Sequence, residues 1–200
     1  MKIIGLTGGI ASGKTTIINF LKKKKFAVHE SDQIVNNLYS APNKKFLNHL
    51  KKNSFSNAIN KKKINKKIVR EEIFNNNKKR KKVESFIHNE VKKSRKEFLK
   101  KNQKIKTKIV ILDIPLLFEA KLTNICDYII LLHAPKKLRV NRALKRKGMK
   151  KKILLKILQH QLSDAHKKKK SNFIIDTSKT KNYCFNKILK ILENIKKNGT

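Results

Sequence analysis

The chain is poor in several residue types, and each shortage excludes a class of protein. Only two of its 200 residues are cysteine, too few for a disulfide framework, so Cys126 and Cys184 are expected to be reduced core residues of a cytoplasmic protein. No apolar run approaches the ~18 residues of a membrane-spanning helix, which argues against a membrane protein. The first apolar segment begins at Lys2, so no room for a cleavable signal peptide is expected.

Acidic residues are also scarce, because 13 Asp and Glu stand against 52 Lys and Arg and give a formal net charge of +39. Such a charge is typical of nucleic-acid-binding proteins. The basic residues are nearly all lysine, however, and they are spread along the chain beside many Asn and Ile, as an AT-rich genome would produce. Dispersed lysines do not form a defined footprint. We therefore expect weak, salt-sensitive nucleic-acid binding and no specific nucleic-acid partner.

The segment from Gly8 to Thr15 reads GGIASGKT and fits the phosphate-binding P-loop pattern G-x-x-x-x-G-K-[ST]. A strand is predicted before it, over residues 2–7, and a helix after it, which is the order that this loop requires. Glycines let backbone N–H groups approach an anion, and the positive end of the helix adds to the attraction. Lys14 is expected to bind the β- and γ-phosphates of a nucleotide, and the Thr15 hydroxyl to bind Mg²⁺. The predicted ATP-binding residues are Gly8, Gly9, Ala11, Ser12, Gly13, Lys14, Thr15 and Thr16.

Two carboxylates follow predicted strands, at the edge of a parallel sheet where ligands bind. Asp32 comes after the strand 26–29 and begins a predicted helix, so it is a catalytic carboxylate, the N-cap of that helix, or both. Asp113 ends the apolar strand 108–113, in the manner of a Walker B carboxylate that holds Mg²⁺ or its water. The alternative for Asp113 is a turn residue before Pro115.

The rest of the chain is predicted from its apolar periodicity. Residues 41–104 are helical, with no convincing strand. Strands are expected at 128–132 and 173–176, and a helix at 150–160 that continues less regularly to residue 170. An amphipathic helix closes the chain. The histidines show no metal-ligand spacing, so no zinc site is predicted.

A helix opened by Pro135 carries Arg139, Arg142 and Arg146, whose spacing of three and then four residues would place them on one face. In a chain that otherwise uses lysine, three facing arginines favour a lid over the γ-phosphate, because the planar guanidinium binds phosphate through two donors. The alternative is a surface face paired with scattered acidic residues.

These motifs together resemble the dephospho-CoA kinase family. The loop segment is similar to that family's L-T-G-G-I-x-S-G-K-[ST], and residues 115–119 match its P-L-L-F-E. Further similarities lie in Ser31-Asp32 with Ile34, in Arg70-Glu71-Glu72-Ile73-Phe74, in the R-x-x-x-R spacing of Arg142 and Arg146, and in Gln161. The chain departs from the family pattern at Glu30, Asn36, Asn89, Arg139, Ser171, Asn172 and Thr177.

The resemblance implies an α/β P-loop NTPase fold with a parallel sheet of about five strands flanked by helices. Its core would comprise residues 1–32, 105–135 and 165–200, with a helical acceptor-binding insertion at 33–104 and a lid at 136–164. The implied reaction transfers the γ-phosphate of ATP to the ribose 3′-hydroxyl of dephospho-CoA, giving CoA and ADP with Mg²⁺ as cofactor. The oligomeric state stays open.

The resemblance also implies roles for individual residues. The catalytic residues would be Asp32, Lys14, Arg142 and Arg146. The acceptor would be bound by Asp32, Arg70, His88 and Leu116, and Mg²⁺ by Thr15 and by Asp113, the latter directly or through water. Two other functions remain as alternatives: a P-loop kinase of another small molecule, and a basic nucleic-acid-binding protein with a regulatory P-loop.

Overall fold

The structure, a computed structural model, describes residues 1–197 and alternates strands with helices. Its strands are β1 (Lys2–Gly8), β2 (Ala27–Glu30), β3 (Ile59–Asn60), β4 (Lys63–Ile64), β5 (Ile109–Asp113), β6 (Tyr128–His133) and β7 (Phe173–Asp176). Its α-helices are α1 (Lys14–Lys23), α2 (Ser31–Ser40), α3 (Lys44–Lys52), α4 (Lys66–Asn75), α5 (Asn77–Lys104), α6 (Lys136–Leu144), α7 (Lys151–Gln159), α8 (Asp164–Lys169) and α9 (Lys181–Lys197). Single 3₁₀ turns occur at Ser56–Ala58 and Thr123–Ile125. Within residues 1–197, none of the helices combines the length and the apolar character needed to cross a bilayer.

A five-stranded sheet with the order β2-β5-β1-β6-β7 carries the fold. The pairs β1–β5, β1–β6 and β6–β7 are parallel. Its strands β5 and β6 are largely apolar, and every residue of β5 is buried, as expected for a parallel sheet covered on both faces. The predicted α/β class with about five parallel strands is confirmed.

The largest apolar cluster packs α1 and α9 against the sheet. Ile17, Ile18 and Leu21 come from α1, and Phe20 of α1 stacks on Phe185 of α9 with ring centroids 4.0 Å apart. Burying one such side chain contributes about 1.5–3 kcal/mol, so this cluster fixes the helix that follows the predicted phosphate-binding loop.

The described chain forms two compact units. The first comprises Met1–His29 together with the described residues from Lys101 onward, and it contains most of the sheet. The second is Glu30–Lys100, which is largely helical and has its own apolar core. Phe46 and Phe55 are completely buried in that core.

A short hairpin corrects the prediction that residues 41–104 contain no strand. β3 and β4 pair antiparallel through Ile59–Ile64 and Asn60–Lys63. The two residues between them, Lys61 and Lys62, have φ values of 42° and 66°. Both lie in the left-handed region that the favoured two-residue hairpin turns use, normally with Asn or Gly. Lysine gives no such signal, so the hairpin could not be found from the sequence.

Two helix boundaries also differ from the predictions. The helix after residue 150 does not continue to 170: α7 ends at Gln159, and α8 starts anew after Ser163, whose Oγ accepts a hydrogen bond from the His166 N–H. Asp32 is not an N-cap, because β2 leads directly into α2 and Glu30 takes the capping position. Asp32 instead lies in the first turn of α2, where a carboxylate still interacts favourably with the helix dipole.

Candidate active site

The predicted phosphate-binding loop forms the turn between β1 and α1. β1 ends at Gly8, and α1 begins at Lys14 with Gly13 as its N-cap. Gly13 has a φ of 84°, a left-handed conformation that glycine adopts without steric cost. Inside the turn, the Ser12 N–H donates to the Gly9 carbonyl at 3.1 Å. The turn therefore presents the unpaired N–H groups at the positive end of α1, which is the arrangement that binds anions.

An ion pair joins this loop to the end of β5. Lys14 Nζ lies 2.7 Å from Asp113 Oδ1, and the two side chains are only 15% and 8% exposed. β1 and β5 run parallel and pair Leu6 with Asp113, which brings the carboxylate to the edge of the sheet where the loop begins. The structure thus places the predicted phosphate-binding lysine beside the predicted Walker B-like carboxylate.

A cavity of about 300 Å³ lies beside the loop. Thr15 and Thr16 are both exposed in the first turn of α1, and of the two Thr16 lines this cavity. The wall of the cavity combines cationic side chains with apolar ones, a mixture suited to a ligand with a flat base and charged phosphates. The lining residues are Ala11, Gly13, Thr16, Ile17, Arg142, Arg146, Thr177, Lys179, Lys181, Cys184 and Phe185.

The three arginines do not share the helix face that their spacing predicted. α6 ends at Leu144, so Arg146 lies beyond the helix. Arg139 is 4% exposed and its Nη2 donates to Asp164 Oδ2 at 2.6 Å, so it points into the protein. The prediction that the three arginines share one helix face is therefore wrong, because the helix ends before Arg146 and because Arg139 is buried in a pair with Asp164.

Arg142 and Arg146 nevertheless both reach the cavity. Arg142 Nη2 donates to the Thr177 carbonyl at 2.9 Å, and the Thr177 hydroxyl donates to the His133 carbonyl at 3.0 Å. Thr177 is one of the positions where the chain departs from the family pattern, yet its side chain and its backbone both form hydrogen bonds. The cavity wall is therefore well defined at this position.

Two titratable groups near the cavity have shifted pKa values. Burial raises the pKa of the Cys184 thiol above its ordinary 9.0, so the thiol in the cavity wall stays protonated at neutral pH. Burial also lowers the pKa of His133, and the positive charge of Lys168 lowers it further. The ring at the end of β6 is consequently neutral at pH 7. The positive charge of the cavity therefore comes from its arginines and lysines.

The predicted acceptor-binding residues are divided between the two units. Leu116 follows β5 in the first unit and is 44% exposed. Asp32, Arg70 and His88 belong to the helical unit, where all three are exposed on α2, α4 and α5. Burial raises the pKa of Tyr39 on α2, and the positive charge of Arg70 opposes that shift. The guanidinium of Arg70 therefore lies near α2, the helix that carries Asp32. The roles of these residues in substrate binding stay predictions.

The comparison with protein families gives one match over nearly the whole chain. The family model described as dephospho-CoA kinase matches residues 2–182. A curated dephospho-CoA kinase of Bartonella quintana is 35% identical over 99% of this chain and 100% of its own length. The matched range spans the phosphate-binding loop, both strand-end carboxylates and the P-L-L-F-E segment of this chain.

The comparison with solved structures agrees. A dephospho-CoA kinase from Campylobacter jejuni superposes with a TM-score of 0.74 and 26% identity, covering all of both chains. A shikimate kinase from Bacteroides thetaiotaomicron superposes with a TM-score of 0.52 at 12% identity, covering 96% of this chain and 98% of its own. The second similarity concerns the fold alone.

Proposed function

Because this chain belongs to the dephospho-CoA kinase family, we propose that it transfers the γ-phosphate of ATP to the ribose 3′-hydroxyl of dephospho-CoA. The products are CoA and ADP, and the reaction is the last step of coenzyme A biosynthesis. The family match over residues 2–182 carries this proposal, since it spans the ATP-binding loop and the helical unit together. The proposal includes the cytoplasm as the place of the reaction, in keeping with two cysteines that form no disulfide.

The loop and Lys14 bind the phosphates of ATP. Phosphoryl transfer requires positioning and charge stabilisation more than covalent chemistry from the protein. The N–H groups at the start of α1 surround the phosphates, and the ammonium of Lys14 neutralises their charge. Since Lys14 lies 2.7 Å from Asp113, it exchanges that carboxylate for a phosphate oxygen when ATP binds.

The residues beside the loop fit Mg²⁺. Thr15 supplies a hydroxyl oxygen and Asp113 a carboxylate oxygen, the hard donors that Mg²⁺ prefers, and few protein ligands are needed because phosphates and water complete the shell. When bound, the ion neutralises charge on the phosphates. With Lys14 on a phosphate, Asp113 would no longer pair with that lysine and would hold the ion, directly or through water.

Asp32 orients the acceptor. Its carboxylate is exposed at the start of α2, and we assign it to hold the 3′-hydroxyl and to accept its proton. Arg70, His88 and Leu116 would place the rest of dephospho-CoA. Side chains from α2, α4, α5 and the segment after β5 would then contribute to one reaction.

The lid consists of residues 136–164. Arg142 and Arg146 extend from it into the cavity, and we assign them to the charge of the transferring phosphoryl group. Arg142 has to exchange its hydrogen bond to the Thr177 carbonyl for a phosphate oxygen. Closure of the lid would also exclude water, which limits wasteful hydrolysis of ATP.

An acceptor panel tests the proposal. ADP release from MgATP is followed in a coupled assay with dephospho-CoA, AMP, shikimate or no acceptor. We expect rapid ADP release only when dephospho-CoA is the acceptor. Turnover with AMP or shikimate in place of dephospho-CoA would refute the acceptor, while the kinase fold would stand.

A further inference from the structure

A side chain from the segment after α7 contacts the phosphate-binding loop. Gln161 lies two residues beyond the last residue of α7, Gln159. Its Oε1 accepts a hydrogen bond of 3.1 Å from the Ile10 N–H, which is in the loop between β1 and α1. Only the oxygen of an amide side chain can accept from an N–H, so this contact also fixes which way the amide faces. One loop N–H is therefore held by a side chain distant in sequence.

Arg139 supports the neighbouring residue of the loop. A Cβ added to Gly9 would overlap Arg139 Nη1 and would lie 3.4 Å from Gln161 Oε1, so only glycine permits this approach. Arg139 cannot swing away, since its Nε donates to the Ala134 carbonyl at 2.9 Å and its Nη2 to Asp164. The guanidinium and the glutamine amide together form a polar support beneath the loop.

The loop needs such support because its backbone is strained. Ala11 has a φ of 57°, in the left-handed region that a residue with a Cβ disfavours. Conformations of this kind persist only where the surroundings impose them. Ala11 is buried against Ala143 of α6 and Leu154 of α7, with Ile10 packed beside them. The hydrogen bond to Ile10 is the polar part of this support.

The backbone that presents Gln161 is itself anchored. The next N–H, of Leu162, donates to Glu119 Oε1 at 2.9 Å, and Lys167 Nζ lies 2.8 Å from the same oxygen. Lys167 is 1% exposed, so this ion pair is shielded from water. Gln161 thus extends from a fixed point, which is what a residue that positions another group requires.

We propose that Gln161 is a positioning residue of the phosphate-binding loop. Its amide oxygen holds the Ile10 N–H and keeps the strained loop in its phosphate-binding shape before ATP arrives. The inference rests on the proposed function of this loop as the ATP site. Because the shape is set in advance, less binding energy is lost in ordering the loop around the nucleotide.

Two variants separate the hydrogen bond from the packing of the side chain. Gln161→Met keeps the length and removes the acceptor, whereas Gln161→Glu keeps an acceptor oxygen at the same place. Calorimetric titration gives the Kd for ATP and for AMP without any acceptor substrate. We expect Gln161→Met to weaken ATP binding about five- to tenfold, the effect of one lost hydrogen bond, and to leave AMP binding within about twofold. Gln161→Glu should recover most of the ATP affinity.

Gln159→Met is the matched control, because Gln159 is exposed at the end of α7. It should bind ATP as the unchanged chain does. Unchanged ATP affinity in Gln161→Met would overturn the inference. The inference would also be overturned if both Gln161 variants had a lower melting temperature and lost affinity for ATP and AMP equally, since a purely structural role predicts that result. A chain that binds ATP but does not phosphorylate dephospho-CoA would refute the proposed function and leave this inference standing.

Discussion

At the scale of single residues, the site is built from charges that already have partners. Lys14 pairs with Asp113, and Arg142 donates to the Thr177 carbonyl. Both side chains are mostly shielded from water in these contacts, so their positions are defined before a nucleotide binds. In the proposed reaction each would exchange a protein oxygen for a phosphate oxygen, which costs less than ordering a free side chain.

The role of Asp32 leads to the first prediction at this scale. Asp32→Asn removes the proton acceptor and keeps the shape of the side chain. We expect kcat with dephospho-CoA to fall about 10²- to 10⁴-fold, the usual contribution of a general base. The Kd for ATP should stay within about twofold, because the loop and Lys14 are unchanged. Steady-state kinetics and calorimetric titration give the two quantities.

Glu71→Gln is the control for this substitution. Glu71 is an exposed carboxylate on α4 of the same unit, and its contact with Lys67 is long at 4.0 Å. Its kcat should equal that of the unchanged chain. Near-normal turnover in Asp32→Asn would remove Asp32 from the role of base.

The arginines show what a sequence can and cannot predict about single residues. The spacing of Arg139, Arg142 and Arg146 is visible in the sequence, but it carries no information on burial or on where α6 ends. Arg139 is buried because Asp164, 25 positions later, pairs with it. The family resemblance is the only sequence signal for Gln161, and no neighbouring residue indicates its contact with Ile10. Contacts of this kind depend on the finished fold.

At the scale of elements, Glu119 joins the segment after β5 to α8. Its Oε1 contacts both the Leu162 N–H and Lys167 Nζ. Burial tends to raise the pKa of Glu119, but the hydrogen bonds from Lys167 and from the Leu162 N–H, with the charge of Lys167, lower it overall below its ordinary 4.5. The ionised form is therefore stabilised by folding.

This lowered pKa gives a prediction about pH. A carboxylate whose pKa falls on folding stabilises the protein above its ordinary value, and that stabilisation is lost as pH falls through the folded-state value. Glu119→Gln should reduce the free energy of unfolding by roughly 3 kcal/mol at pH 7, because Lys167 is left buried without its counter-charge. The difference in the free energy of unfolding between this variant and the unchanged chain should become smaller as pH drops below 4.5. Urea unfolding between pH 7 and pH 3 measures it.

The comparison variant is Glu97→Gln, which removes an exposed carboxylate 4.0 Å from Lys93 on α5. Exposed pairs contribute little, so this variant should be nearly as stable as the unchanged chain. A stability difference for Glu119→Gln that stays constant from pH 7 to pH 3 would contradict the account.

Elements with a strong apolar pattern were predicted well. β5 is a run of five buried residues, and β7 has the predicted bounds. Elements that depend on local geometry were not: the β3–β4 hairpin turns through Lys61 and Lys62, and the break between α7 and α8 is set by the cap at Ser163. A periodic pattern records which side chains are buried, whereas turns and caps depend on backbone angles that several residue types can adopt.

At the scale of the whole molecule, the charge of +39 is distributed rather than concentrated. Most lysines are exposed, and among the described residues Lys167 is the only fully buried lysine, paired with Glu119 at 2.8 Å. Such a surface attracts polyanions without selecting among them, and salt screens that attraction. The charge therefore affects solubility and nonspecific binding more than the reaction that the site performs.

The residues of the proposed reaction are divided between the two compact units. The sheet unit carries the phosphate-binding loop and the cavity, and the helical unit carries Asp32, Arg70 and His88. Each unit has its own apolar core, so each provides a rigid base for its residues. The family match extends over both, which agrees with one reaction that needs a nucleotide and an acceptor.

The most direct test of this account is the identity of the product. The chain is incubated with MgATP and dephospho-CoA, and the product is examined by mass spectrometry and by phosphorus NMR. The account predicts one added phosphoryl group on the ribose 3′-hydroxyl, with one ADP released for each CoA formed. Folded, ATP-binding protein that leaves dephospho-CoA unmodified, or that phosphorylates another of its groups, would contradict it.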